Sequence, residues 1–134
     1  MKTLRILITA TALMGVLASC GGSSSSDANV KRVPQDFKTI QEAVDAAVEG
    51  DLVLVDKGTY AEAVTVETDN IVIRGIDRNE VILEGDYSLD NGIRIVGARG
   101  VVVENMTARN YRANGFFWTG VDGYRGSYLT AVRN

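Results

Sequence analysis

Few side chains in this sequence can do chemistry. Among its 134 residues there is no histidine, and Cys20 is the single cysteine. Within the chain this excludes Ser-His-Asp and Cys-His catalysis, His-ligated metals, an internal disulfide and Cys-clustered zinc or iron–sulfur sites. Carboxylate, Arg, Lys and Tyr chemistry remains. Asp122 and Arg125 lie together in Val121-Asp122-Gly123-Tyr124-Arg125-Gly126, beside the aromatic residues Tyr111, Phe116, Phe117, Trp118 and Tyr128. Aromatic faces stack on the C–H faces of sugar rings, and they also fill cores and turns. Two carboxylates about 5–10 Å apart would suit glycoside hydrolysis, but no Asp/Glu pair here has a diagnostic spacing. A formal net charge of −3 argues against nucleic-acid binding, which depends on an excess of Lys and Arg.

Residues 1–19 read as a signal peptide. Lys2 and Arg5 precede the apolar run 6–18, which is shorter than the roughly 20 residues of a spanning helix. Leu17-Ala18-Ser19-Cys20 resembles the bacterial lipobox, in which the cysteine is lipidated and becomes the first residue. That resemblance implies an exported protein held at the cell envelope by lipid on Cys20, at the outer membrane in a Gram-negative cell. Residues 20–32 follow as a tether, opened by a Gly/Ser-rich stretch too polar to pack.

The remaining segment, 33–134, must position the candidate residues. Ile40, Ala43, Val44, Ala47 and Val48 form one apolar stripe, which predicts an amphipathic helix over 39–49. Thr39 and Glu42 fit a capping box, and Gly50 fits a C-terminal stop. Short Val/Ile-rich runs follow, separated by Gly, Asp and Asn, with no second long helix. Asn91-Gly92-Ile93-Arg94-Ile95 recurs as Asn114-Gly115-Phe116-Phe117-Trp118, and Met106-Thr107-Ala108 as Leu129-Thr130-Ala131, both at an offset of 23. A shared period of this size signals stacked coils. Ile71-Val72-Ile73-Arg74-Gly75 matches Val101-Val102-Val103-Glu104-Asn105 at an offset of 30. The earlier coil therefore carries extra residues, expected in the loop Asp86–Asp90. Strand alternation turns Ile93, Ile95, Phe116 and Trp118 inward, and Arg94 and Phe117 outward. Asn91 and Asn114 are expected to stack as an amide ladder, with Gly92 and Gly115 supplying an unusual φ.

Val33-Pro34, Thr39-Ile40-Gln41-Glu42-Ala43-Val44-Asp45-Ala46-Ala47, Gly50-Asp51 and Gly58-Thr59-Tyr60-x-Glu62 resemble the N-terminal cap and first coil of right-handed parallel β-helix proteins. These form the pectin-lyase-like superfamily, and the opening is similar to that of pectin methylesterases. The resemblance implies an all-β solenoid, a right-handed parallel β-helix with an N-terminal amphipathic capping helix and about three coils. It also implies a polysaccharide ligand. Lyases of the superfamily combine acidic calcium ligands with an Arg or Lys base on one outer face, and Asp122, Glu104, Arg94 and Arg125 are the residues available for such a set. Calcium enters by this resemblance alone; no metal site or other cofactor is evident in the sequence. The catalytic Gln, Asp and Arg of the esterases belong to later coils, and no segment before Asn134 matches them. The chain stops inside a coil, so the expectation is a piece of a longer solenoid, or else self-association through the open end.

The candidate glycan contacts are thus Phe117, Arg94, Asp122 and Arg125. The expected protein is a membrane-anchored β-helix lipoprotein that engages polysaccharide, with any lyase, esterase or hydrolase machinery outside this segment. The other reading is a non-catalytic surface or adhesion scaffold.

Overall fold

The computed structural model describes residues 29–134. The leader 1–19, Cys20 and the tether up to residue 28 lie outside the described residues. The elements in chain order are β1 (Val30–Val33), α1 (Ile40–Asp45), β2 (Leu52–Val55), β3 (Gly58–Tyr60), β4 (Val64–Val66), β5 (Val72–Gly75), β6 (Val81–Glu84), β7 (Asn91–Val96), β8 (Val102–Arg109), β9 (Asn114–Thr119) and β10 (Arg125–Val132). The first strand begins inside the segment read as tether, because Val30–Val33 pairs with Leu52–Val55.

Every strand pairing is parallel, and the strands stack as three ribbons. The first runs β1–β2–β5 and continues into the opening halves of β8 and β10. The second runs β3–β6 and continues into their closing halves. The third is β4–β7–β9. The chain therefore winds as a solenoid of about four turns. Coils 52–66, 72–96 and 102–119 are complete, with β1 before them and β10 opening the next.

The coils cohere because each buries the apolar row of its neighbour. Val53 faces Ile73 and Ile73 faces Val103 in register, all 0% exposed. Each such side chain contributes roughly 1.5–3 kcal/mol on burial. Ile93 pairs with Phe116 and Ile95 with Trp118, as the alternation predicts. The amide ladder also forms, Asn114 Nδ2 donating to Asn91 Oδ1 at 3.0 Å.

Gly92 and Gly115 play a different part from the one expected. Neither has a positive φ. At Gly92 a Cβ would overlap the carbonyl oxygen of Gly115 and crowd the Tyr111 ring. Their lack of a side chain permits close coil approach. The extra residues of the second coil are also placed differently. The offset to the third coil is 30 at Val72–Val102, 25 at Ile82–Thr107 and 23 at Asn91–Asn114. Most of the insertion thus sits in the loop 76–80, and little of it in Asp86–Asp90.

Helix α1 is shorter than its apolar stripe predicts. Thr39 Oγ1 accepts from Glu42 N at 3.1 Å, as a capping box requires. The Glu42 carboxylate accepts from Lys38 N, one residue before the cap. Ile40, Ala43, Val44 and Ala47 join the core, but Val48 is 64% exposed. Val48 N donates to Asp51 Oδ2 at 2.9 Å, a local side-chain bond that competes with continued helix. The helix packs against β1, β2 and β4. Two side chains make that join. The Glu62 carboxylate accepts from Ile40 N and Gln41 N, at 3.0 and 3.1 Å, filling donors that a helix start leaves free. The Gln41 amide pairs with the edge of β4: Thr65 N donates to its Oε1 at 2.7 Å and its Nε2 donates to Thr65 O at 3.1 Å. Gln41 thus takes the place of a neighbouring strand on an otherwise open edge.

Asp51, 2% exposed, ties β1 to this region through Lys31 Nζ at 2.7 Å. The hydrogen bond from Lys31, aided by Val48 N–H, holds the Asp51 carboxyl below its ordinary range. A depressed folded pKa means that its contribution is present above the usual carboxylate pKa of about 4 and is lost as pH falls through the lowered value. Asp51→Asn is expected to lose about 3 kcal/mol at pH 7 and to show a shallower acid loss of stability than wild type. Urea midpoints at pH 7 and in acid measure both. An unaltered acid slope would remove Asp51 from this role.

Candidate functional site

The outer face of the first ribbon carries a charged cluster. Register places Leu54, Arg74 and Glu104 side by side, with Ser127 following in β10. Glu104 is 8% exposed. Its Oε1 accepts from Arg74 Nε at 2.5 Å, and its Oε2 from Arg125 Nη2 at 3.2 Å and Ser127 Oγ at 3.1 Å. Burial pushes the Glu104 carboxyl up, but the bonds from Arg74 and Ser127 and the charges of both arginines outweigh it, so the net shift is downward. Glu104 is therefore ionised at neutral pH and holds two guanidiniums from neighbouring coils. The side chains of Arg74 and Arg125 remain 45% and 61% exposed. Each spends one nitrogen on Glu104, which leaves forked donors facing outward.

No protein-family model matches the chain. No curated protein matches it either. Among solved structures it is similar to a crystal structure of a pectin methylesterase variant in complex with a hexasaccharide. The two share 20% identity at a TM-score of 0.60, over 71% of this chain and 39% of that one. This chain thus spans well under half of the esterase's length. The similarity, with the parallel register of every ribbon, decides the fold. The chain is a parallel β-helix.

The β-helix divides the residues expected to form one glycan site. Arg125 lies on the first ribbon, in the Glu104 cluster. Arg94 and Phe117 lie on the third ribbon, in a row with Thr65. Phe117 is 36% exposed, and the Arg94 side chain makes no hydrogen bond or ion pair among the described residues. Asp122 sits in the turn between β9 and β10, bridged to Arg99. It is exposed, and its backbone oxygen accepts from Gly100 N. Alternation along a strand separates inside from outside but does not say which of three outer faces a residue occupies.

Two members of the cluster, Arg74 and Ser127, are absent from the sequence-based set. The offset of 30 that aligns Ile71–Gly75 with Val101–Asn105 already sets Arg74 against Glu104, and the offset of 23 sets Ser127 on its other side. A further repeat marks the turns of the β-helix: Gly97-x-x-Gly100 and Gly120-x-x-Gly123, with all four glycines at positive φ. No group of three or more His, Cys, Asp or Glu side chains among the described residues is placed to hold a metal ion. No helix among them is long and apolar enough to cross a membrane.

Proposed function

We propose that this protein is an exported β-helix lipoprotein, anchored through lipid on Cys20, that binds an acidic polysaccharide on the outer face of its first ribbon. The observation that carries the reading is the arginine pair held by Glu104, preorganised by charge and register with its outer donors available. Guanidinium donors match carboxylates in a fixed, forked geometry, and holding them in place beforehand reduces the entropy lost on binding. The hexasaccharide bound in the structurally similar pectin methylesterase complex supports a saccharide ligand. The lipobox-like Leu17–Cys20 supports the anchor. In this reading the segment supplies binding. Asp51, Asp69, Glu84 and Glu104 are each lowered by hydrogen bonds from basic or polar partners, so these four are not poised as general acids at neutral pH. Lyase, esterase or hydrolase chemistry, and calcium with it, would belong to further coils.

The test is a titration with polygalacturonate. Arg74→Gln and Arg125→Gln are each expected to weaken binding about tenfold, with a reduced salt dependence. Arg94→Gln and Phe117→Ala should leave it unchanged. The reverse pattern would move the ligand to the third ribbon, and no binding by the wild type would end the polysaccharide reading. For the anchor, Cys20→Ser should shift the protein from the detergent phase to the aqueous phase.

A further inference from the structure

Beside the arginine pair, the corner between the first and second ribbons is built unlike the others. The third coil turns this corner on Asn105 alone, at φ 60, and the following coil on Tyr128 alone, at φ 53. The second coil turns it with the inserted loop 76–80. Insertions in solenoid repeats gather on one face, often a binding face. Here the loop walls two shallow hollows. One, about 160 Å³, is lined by Arg32, Gln35, Leu54, Asp56 and Ile76. The other, about 210 Å³, is lined by Ile76, Asp77, Arg78, Asn79, Asn105 and Tyr128. Ile76 is shared, so the hollows follow one another along the solenoid axis. The corner also borders the charged row directly: Asn105 follows Glu104, and Tyr128 follows Ser127.

The lining combines apolar faces with unspent polar groups. Ile76 is 45% exposed and Tyr128 70%. The side chains of Arg78, Asn79 and Asn105 make no hydrogen bond or ion pair among the described residues. Asp77 spends one oxygen on Asn79 N, at 2.7 Å. Tyr128 is also held at a cost. A bulky residue rarely adopts positive φ, and such strain gathers where function needs the side chain. A glycine would turn the corner more easily and would remove the aromatic face.

We infer that this corner is a row of sugar-ring subsites, in which Tyr128 and Ile76 stack on pyranose faces while Asn79, Asn105 and Arg78 take hydroxyl and carboxylate oxygens. The occupant is a linear acidic oligosaccharide lying along the solenoid axis, with carboxylates turned toward Arg74 and Arg125. Coils advance by about 4.8 Å, close to the size of one ring, so successive corners can meet successive sugars. This inference rests on the polysaccharide reading above and adds its placement.

The experiment titrates hexagalacturonate, with cellohexaose as the uncharged comparison, into the full chain and into Tyr128→Gly, Tyr128→Phe and Asn79→Ala, with a melting curve for each. Tyr128→Gly should weaken hexagalacturonate binding about tenfold while its Tm stays level or rises, because glycine relieves the strained φ. Tyr128→Phe should bind as wild type, and Asn79→Ala about threefold more weakly. Wild-type binding with no loss in Tyr128→Gly and Asn79→Ala would overturn the corner subsites and leave the arginine pair standing. Equal binding of cellohexaose would overturn the acidic ligand class. No binding by the wild type would overturn both this inference and the reading it rests on.

Discussion

Gly75→Ala is expected to unfold much of the protein, costing about 3 kcal/mol or more. Gly75 is the last residue of β5, buried in register with Val55. A Cβ there would overlap the carbonyl oxygen of Asn105 in the next coil and stand 3.1 Å from the Val81 Cβ. The carbonyl cannot swing away, because Asn105 turns the corner within β8 and the strand is paired on both sides of it. Relief would require parting two coils, with the loss of their ladder bonds and packed rows. Gly97→Ala is the comparison. Gly97 has φ +64 with nothing within 4 Å of its would-be Cβ, so it should cost only the left-handed strain of about 1–2 kcal/mol. Urea unfolding of both variants separates the causes. If Gly75→Ala costs no more than Gly97→Ala, close coil approach is not what requires glycine.

Tyr111→Ala is expected to cost about 3–5 kcal/mol. Tyr111 is 1% exposed and among the largest fully buried side chains. Its ring lies beside the backbones of Gly85 and Gly92, where a Cβ would come within 2.7 and 3.0 Å of it. Its hydroxyl donates to Glu62 O at 2.6 Å, joining the third coil to the first. Burial, with help from the Glu62 and Glu84 charges, pushes the phenol well above its ordinary pKa, so it remains a donor at any working pH. Truncation leaves a cavity and an unpaired buried carbonyl. Tyr111→Phe isolates the hydrogen bond and should cost about 1 kcal/mol. Because the Glu62 carboxylate holds Ile40 N and Gln41 N, Tyr111→Ala should also speed hydrogen exchange at those two amides. Unchanged exchange there would show that the helix is held independently of Tyr111.

Part of the candidate site was legible in advance. The inward and outward assignment of Arg94, Phe117, Ile93 and Ile95 follows from alternation along one strand. The helix cap follows from Thr39 and Glu42, three residues apart. Three features were not legible. The place of the insertion does not follow from a single aligned strand pair, which fixes the total offset and not where the residues are spent; the separate register of β6 on β8 decides that. At Gly92 and Gly115 a glycine beside a turn suggests an unusual φ, whereas the neighbours across the coil spacing are what require it. Arg94 and Phe117 share one face, as the offset of 23 implies, whereas Asp122 and Arg125 lie past a corner, and outward orientation alone does not tell the faces apart.

The sequence by itself determined the stacking. A period of 23 and a two-residue alternation are local preferences repeated along the chain, and repetition suffices to align one coil on the next. Only the tertiary structure decided which side chains meet. Arg74, Glu104 and Arg125 come together across separations of 30 and 21 residues. The repeat offset sets Arg74 against Glu104, but Arg125 pairs with Val102 and reaches Glu104 only across the packed coils. The loop 76–80 takes up the inserted residues and leaves the later pairing intact.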